Sequence, residues 1–286
     1  MNEEAVTKPF FRYHGGKWRL ADWIIGFFPP HRVYCEPFGG AASVLLKKPR
    51  SKSEIYNDLD KEIVNVFRVM QNVEHRERLL ELLYYTPYAR IEFKQAWGTS
   101  MDPVERARRV IIRAQMGFGS AGATKGSTGF RSNARTKNRY TNEVSDWLKY
   151  QDALPAIIDR LRHVNIENRP ALDVIRSNDG DDTLFYVDPP YLHETRVMRG
   201  TYYRHEMTDA EHDELISCLV SLSGMVIVNG YYSEVYEMGL QGWLQFTRQS
   251  RAAANRGTKC STEVIWLNPL CARTLAQKEM QRGLIA

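Results

Sequence analysis

Val33-Tyr34-Cys35-Glu36-Pro37-Phe38-Gly39-Gly40 decides the fold. Its first four residues read as a short buried strand, Pro37 to Gly40 as a tight loop, and Ala41 to Lys47 as the start of a helix. Glycines at such a turn let backbone approach a ligand, and the amides of a helix N-terminus are free to donate, so a nucleotide-like cofactor is expected there. A second short strand, Ile55-Tyr56-Asn57-Asp58, ends in an acid 22 residues after Glu36, close to the spacing of a ribose-binding carboxylate. The third glycine of the dinucleotide fingerprint is missing. That argues against a pyrophosphate and fits a nucleoside such as S-adenosylmethionine, which has no phosphate to cradle.

Working outward, Val164 to Glu167, Leu184 to Val187, Met225 to Asn229 and Val264 to Leu267 read as further strands. Helices are expected near Trp18 to Phe27, Leu59 to Gln71, Arg76 to Tyr85, Asp152 to Arg162 and Asp209 to Leu222, the last opened by Thr208 with Glu211 three residues on. Strands separated by helices imply an α/β fold with a mostly parallel, Rossmann-like sheet. Residues 74–147 interrupt that alternation as an insertion, mainly helical with a hairpin, between an N-terminal part of the catalytic domain (1–73) and a C-terminal part (148–286).

Asp188-Pro189-Pro190-Tyr191 directly follows the apolar run Leu184 to Val187. The exocyclic amine of adenine is a weak nucleophile because its lone pair is delocalised, so acceptors aimed at its two hydrogens must draw it toward tetrahedral geometry. Asp188 supplies one acceptor and the carbonyl of Pro189 a second, with Pro190 fixing the backbone and Tyr191 offering a face for stacking. A base inside a duplex shows neither its amine nor its face to such a pocket, so the chemistry implies base flipping. As a bare tetrapeptide the segment is also a reasonable turn.

Together these residues resemble the Dam-type DNA adenine N6-methyltransferases over nearly the whole chain. Lys8-Pro9-Phe10-Phe11-Arg12-Tyr13-His14-Gly15-Gly16-Lys17 is similar to the family's N-terminal motif, which implies that Tyr13, Gly15, Gly16 and Lys17 lie against the methionine end of S-adenosylmethionine. Glu36, Phe38, Gly39 and Gly40 match the cofactor loop, Asp58 the ribose acid, Asp188 to Tyr191 the catalytic motif, and Asp173 a place near the cofactor's adenine ring. Arg251 to Arg256 with Ser261 to Asn268 resembles the closing motif that flanks the target-base pocket. The resemblance implies methyl transfer to adenine N6 in double-stranded DNA, without a metal. The same tetrapeptide also suits cytosine N4, glutamine or RNA adenine, and a non-enzymatic nucleic-acid-binding protein retaining the fold is the remaining alternative.

The chain of 286 residues is 43% apolar and 26% charged, enough for one sizeable core. No apolar stretch approaches a membrane span and Met1-Asn2-Glu3-Glu4 does not read as a signal peptide, so a cytoplasmic protein of a bacterial or phage-infected cell is expected, and a monomer is compatible with the sequence. The cysteines, Cys35, Cys218, Cys260 and Cys271, lack metal spacing. From Val104 to Arg139, nine basic residues face one acid, Glu105, giving this stretch +8 within a net +5, so the rest carries about −3. Such a local excess is an expected electrostatic footprint for phosphates, with Arg113, Lys125, Arg131, Asn133, Arg135, Lys137 and Arg139 as DNA-binding candidates. The segment Thr128-Gly129-Phe130-Arg131-Ser132-Asn133 departs from the recognition hairpin of GATC-reading members, so a different or relaxed specificity is expected, as in some phage-derived members.

Overall fold

Thr183-Leu184-Phe185-Tyr186-Val187 is buried at every position, which only a strand covered on both faces allows. In the computed structural model, which describes residues 5–124, 128–132, 143–192, 203–254 and 257–285, this strand lies at the centre of a seven-stranded sheet. The chain runs through α1 (Ala21–Ile25), β1 (Val33–Glu36), α2 (Ser43–Lys47), β2 (Ser53–Asn57) and α3 (Lys61–Gln71). Four helices follow: α4 (Val73–Tyr84), α5 (Arg90–Gln95), α6 (Pro103–Met116) and α7 (Glu143–Asp152). Then come α8 (Leu154–Leu161), β3 (Val164–Glu167), α9 (Ala171–Ser177), β4 (Thr183–Val187), α10 (Asp209–Val220), β5 (Met225–Tyr231) and α11 (Glu234–Gly239). A long hairpin, β6 (Leu244–Ala254) and β7 (Gly257–Leu267), and α12 (Pro269–Ile285) complete the described chain.

The strand order is β3-β2-β1-β4-β5-β7-β6, with the first five parallel and β7 antiparallel to both its neighbours. Order reverses between β1 and β4. Their carboxyl ends therefore open onto the crevice where open α/β sheets bind ligands, and they bring Glu36 and Asp188 to one place. Side chains alternate between the two faces: Tyr34, Tyr56, Tyr186 and Ile227 belong to one apolar cluster, Cys35, Ile55, Phe185 and Val228 to the other.

The expected mostly parallel sheet is present, with β6 and β7 added antiparallel, and the described part of 74–147 is largely helical, with one isolated antiparallel bridge between Gly117 and Phe130. Among the described residues, the segment 74–147 shares its core with the sheet domain. Leu79, Leu83, Phe93, Ile111 and Trp147 join the cluster that holds Phe67 and Met70 of α3.

Three details differ from expectation. The helix expected over Asp152 to Arg162 is the shorter α8: Pro155 lacks an amide and suits only a first turn, so α8 begins at Leu154, and Asp152 instead ends the separate helix α7. The strand expected over Val264 to Leu267 is the end of an eleven-residue strand paired along its length with β6. Most of the helical half of the basic stretch is spent on internal acids: Arg106 pairs with Glu62 of α3, Arg108 with Glu92 and Glu105, and Arg109 with Glu105. These arginines clamp α6 to its neighbours, which leaves them poorly placed for phosphates.

Candidate active site

The loop after β1 is shaped by its neighbours. A Cβ on Gly39 would stand 2.1 Å from Cε2 of the fully buried Tyr56 ring, and one on Gly40, whose φ is +48°, would stand 2.7 Å from Cε1 of Tyr13. The glycines are thus required by two tyrosine rings packed on the loop, a reason the sequence does not show. The loop's amides are also occupied: Gly40 N–H donates to Asp58 at 2.8 Å and Leu45 N–H to Glu36 at 3.1 Å. Amides already bonded to carboxylates do not form an anion cradle.

Beside this loop lies a cavity of about 410 Å³ whose lining includes Tyr13, Gly15, Gly16, Lys17, Glu36, Phe38, Gly39, Gly40, Asp58, Asp173 and Asp188, every cofactor residue expected from the sequence. Its described walls carry eight carboxylates against only Lys17, Arg176 and Arg204 as lysine or arginine. Burial pushes Glu36 up to about 8, opposed by hydrogen bonds from Tyr34 and Leu45 and reinforced by Asp188. Burial likewise raises Asp58 to about 6, against the amides of Asp60 and Gly40. An acidic cavity of this size suits a nucleoside that carries positive charge and disfavours a pyrophosphate.

Asp188 follows β4 directly, and the tetrapeptide straddles two spaces. Asp188 and Pro190 line the large cavity, whereas Pro189 and Tyr191 line a void of only about 10 Å³ beneath β5. Lys17 Nζ is 2.9 Å from Asp188 Oδ2, donates to the carbonyl of Gly15 and sits 4.8 Å from the centroid of the Tyr191 ring. Burial raises Asp188 to about 6, partly offset by Lys17. Burial alone would lower Lys17, but Asp188 and Glu263 more than compensate and hold it well above the ordinary lysine range. The Tyr231 ring lies 4.5 Å from that of Tyr191. Lys17 lines the cavity as expected from the sequence, and its ammonium also rests on the Asp188 carboxylate, which the sequence did not show.

Residues 13–238 match the family described as D12 class N6 adenine-specific DNA methyltransferases. The chain belongs to this family. A curated relative, the DNA adenine methylase of Haemophilus influenzae (strain Rd KW20), is 27% identical over 118 residues, a stretch that is 39% of this chain and 41% of that relative. Among solved structures, the precorrin 8w decarboxylase of Methanobacterium thermoautotrophicum is 9% identical with a TM-score of 0.36, covering 87% of this chain and 89% of that one. A candidate rRNA methylase from Clostridium thermocellum is 10% identical with a TM-score of 0.38, covering 88% and 96%. Likeness at that level carries no weight for the site.

Several residues around the site of this family member escaped sequence reasoning. Asp60 caps α3 through Glu62 N–H and pairs with Arg204, closing one wall of the cavity. Asp60 carried a signal, an acid at a helix start two residues after Asp58, whereas Arg204 lies 144 residues away and carried none. Asn229 and Glu263, on β5 and β7, bond Tyr191. Of the DNA candidates, Arg113 donates to the carbonyl of Ala96 and stacks on Trp97, and Arg131 pairs with Asp146 and Glu143. Lys125, Asn133, Arg135, Lys137 and Arg139 lie outside the described residues, as do the side chains of Arg251 to Arg256. No described helix is long and apolar enough to cross a membrane.

Proposed function

We propose that the protein transfers a methyl group from S-adenosylmethionine to N6 of an adenine flipped out of double-stranded DNA, with a target sequence other than GATC or relaxed beyond adenine itself. The observation that carries this reading is the junction of β1 and β4, where an acidic, nucleoside-sized cavity ends at the carboxylate of the Asp-Pro-Pro-Tyr motif. Bound there, S-adenosylmethionine supplies an electrophilic methyl group on a cationic sulfur. Asp58 and Asp60 stand where a ribose would be held, Asp173 marks the adenine end, and Glu36 offers a counter-charge. Asp188 accepts one hydrogen of the target amine, the Pro189 carbonyl accepts the other, and the Tyr191 ring stacks on the base. Lys17 occupies Asp188 when no base is present, so entry of the amine requires the ammonium to withdraw from that oxygen. The 1–73 and 148–286 segments form the catalytic domain and 74–147 carries target recognition, in the cytoplasm. Incubating the protein with methyl-labelled cofactor and duplex DNA, single-stranded DNA or RNA tests the substrate: label is expected in duplex DNA first, and label confined to RNA would overturn the choice.

The raised carboxylates set a pH dependence. Glu36 has a folded pKa of about 8, above its ordinary 4.5, so its contribution to stability is present at low pH and is lost as pH rises toward 8. A cationic ligand favours the ionised form and reverses that loss. Melting of the ligand-free protein should therefore fall from pH 6 to 8.5, the stabilisation by S-adenosylmethionine should grow over the same window, and Glu36→Gln should flatten both trends. An increment that does not change with pH would remove Glu36 from the cofactor site.

DNA affinity depends on cations outside the internal pairs. Neutralising Arg135 and Arg139 together is expected to lower the magnitude of the salt slope of binding by about two and leave cofactor affinity within twofold of the parent. Neutralising Arg106 and Arg109 should leave the slope unchanged and lower the melting temperature, because their partners are Glu62 and Glu105.

A further inference from the structure

Asn229 is fully buried two residues before the end of β5, and Glu263 is 5% exposed on β7. Neither side chain is among those that line the described cofactor cavity. Yet both are turned to the catalytic motif. The Tyr191 hydroxyl donates to Glu263 Oε2 at 3.0 Å, and the Asn229 amide donates to the same oxygen at 3.0 Å, to the Tyr191 oxygen at 3.2 Å and to Asp188 Oδ1 at 3.4 Å. The other carboxylate oxygen of Asp188 is the one held by Lys17.

A buried glutamate is costly unless it is bonded and charge-matched, and a sheet that needed only a core would place an apolar residue there, as it does at Val264 and Ile265. β7 enters from the opposite direction to the parallel strands, with Glu263 opposite Tyr231, so it delivers a carboxylate to the end of the sheet where β4 and β5 finish. We propose that Asn229 and Glu263 are positioning residues for methyl transfer: Glu263 anchors the hydroxyl that fixes the Tyr191 ring, and Asn229 ties that anchor to the carboxylate of Asp188. The proposal rests on the methyltransferase reading above. Held at Oδ1 by Asn229, the Asp188 carboxylate keeps its place when the ammonium on Oδ2 gives way to a base. Glu263 also makes the cluster one carboxylate richer than its single lysine, beside the point where positive charge passes from sulfur to the adenine amine.

A double-mutant cycle on the full-length protein tests this, with Glu263→Gln, Tyr191→Phe and the pair assayed for kcat, KM for S-adenosylmethionine and melting temperature. Each single change keeps side-chain shape. Each is expected to lower kcat ten- to a hundredfold with KM for the cofactor within twofold of the parent, and the pair to fall no more than threefold below the worse single variant. The losses multiplying, or kcat of folded Glu263→Gln staying within twofold of the parent while only its melting temperature drops, would overturn the proposal and leave a structural role. Should Glu263→Gln not fold, Tyr191→Phe decides alone, because a kcat within twofold of the parent removes any need for the anchor. Absence of methyl transfer by the parent in the same assay would instead sink the reading on which the proposal rests.

Discussion

Replacing Asp188 by asparagine is expected to lower the rate of methyl transfer by about 10²–10³-fold, the usual cost of losing one preorganised polar group aimed at developing charge, while retention on DNA changes little. The amide keeps the shape of the carboxylate but presents a weaker acceptor to the target amine and no charge to Lys17. Alanine is a harsher change. It leaves the Lys17 ammonium, only 6% exposed along its side chain, without its partner, at a cost of about 3–5 kcal/mol for breaking a buried pair. Asp188→Ala should therefore be inactive and clearly less stable, and Asp188→Asn slowed as stated with a smaller loss of melting temperature, because its amide oxygen still accepts from Lys17 without matching its charge. The parent's rate should also fall as pH drops through about 6, where Asp188 takes up a proton and ceases to accept on that oxygen. A rate for Asp188→Asn within about tenfold of the parent would contradict the mechanism.

Gly39→Ala is the second large effect. The added methyl would sit 2.1 Å from Tyr56 Cε2, inside the ring's own contact distance. Tyr56 cannot withdraw easily: its hydroxyl donates to the carbonyl of Gly40 at 2.6 Å and its ring lies 4.3 Å from that of Phe67. Overpacking of this kind costs about 1–3 kcal/mol or more, and relief by moving the loop would displace the walls of the cofactor cavity. A melting temperature lower by several degrees and at least a tenfold loss of S-adenosylmethionine affinity are expected, measured by thermal melting and calorimetry. Gly242, where nothing lies within 4 Å of an added Cβ, is the control position, although its φ of +86° still brings local strain on substitution.

What could be read in the sequence was what the chain writes locally. Apolar strands that end in a polar residue mark the carboxyl edge of a parallel sheet, and Glu36 and Asp188 were legible by that rule; Asn229, which ends Met225-Val226-Ile227-Val228, obeys it too and was passed over for want of a motif around it. Thr208 and Glu211 announced α10 and form the full capping box. The β6 strand was missed because Leu244-Gln245-Phe246-Thr247-Arg248-Gln249 lies at a sheet edge and carries polar and basic residues, the composition of an edge that resists further pairing. Its partner was legible only over Val264 to Leu267, the buried part.

The chemistry of the site divided in the same way. Every cofactor residue named from the sequence lines one cavity, but the reason for the glycines, the charge of the walls and the partner of Lys17 depend on side chains that meet across the fold. Arginine counts misled for a related reason. A run of basic residues says nothing of the acids that other helices bring to it, and Glu62 and Glu92 absorb two of the arginines counted in the +8 of Val104 to Arg139.

Mass spectrometry of nucleosides, released from DNA incubated with the protein and S-adenosylmethionine, tests the central claim most directly. Templates with and without GATC should be treated in parallel, with Asp188→Asn as the control. The expected result is N6-methyladenine on both kinds of template, formed about a hundredfold or more slowly by the variant; no methylated adenine on any template would contradict it.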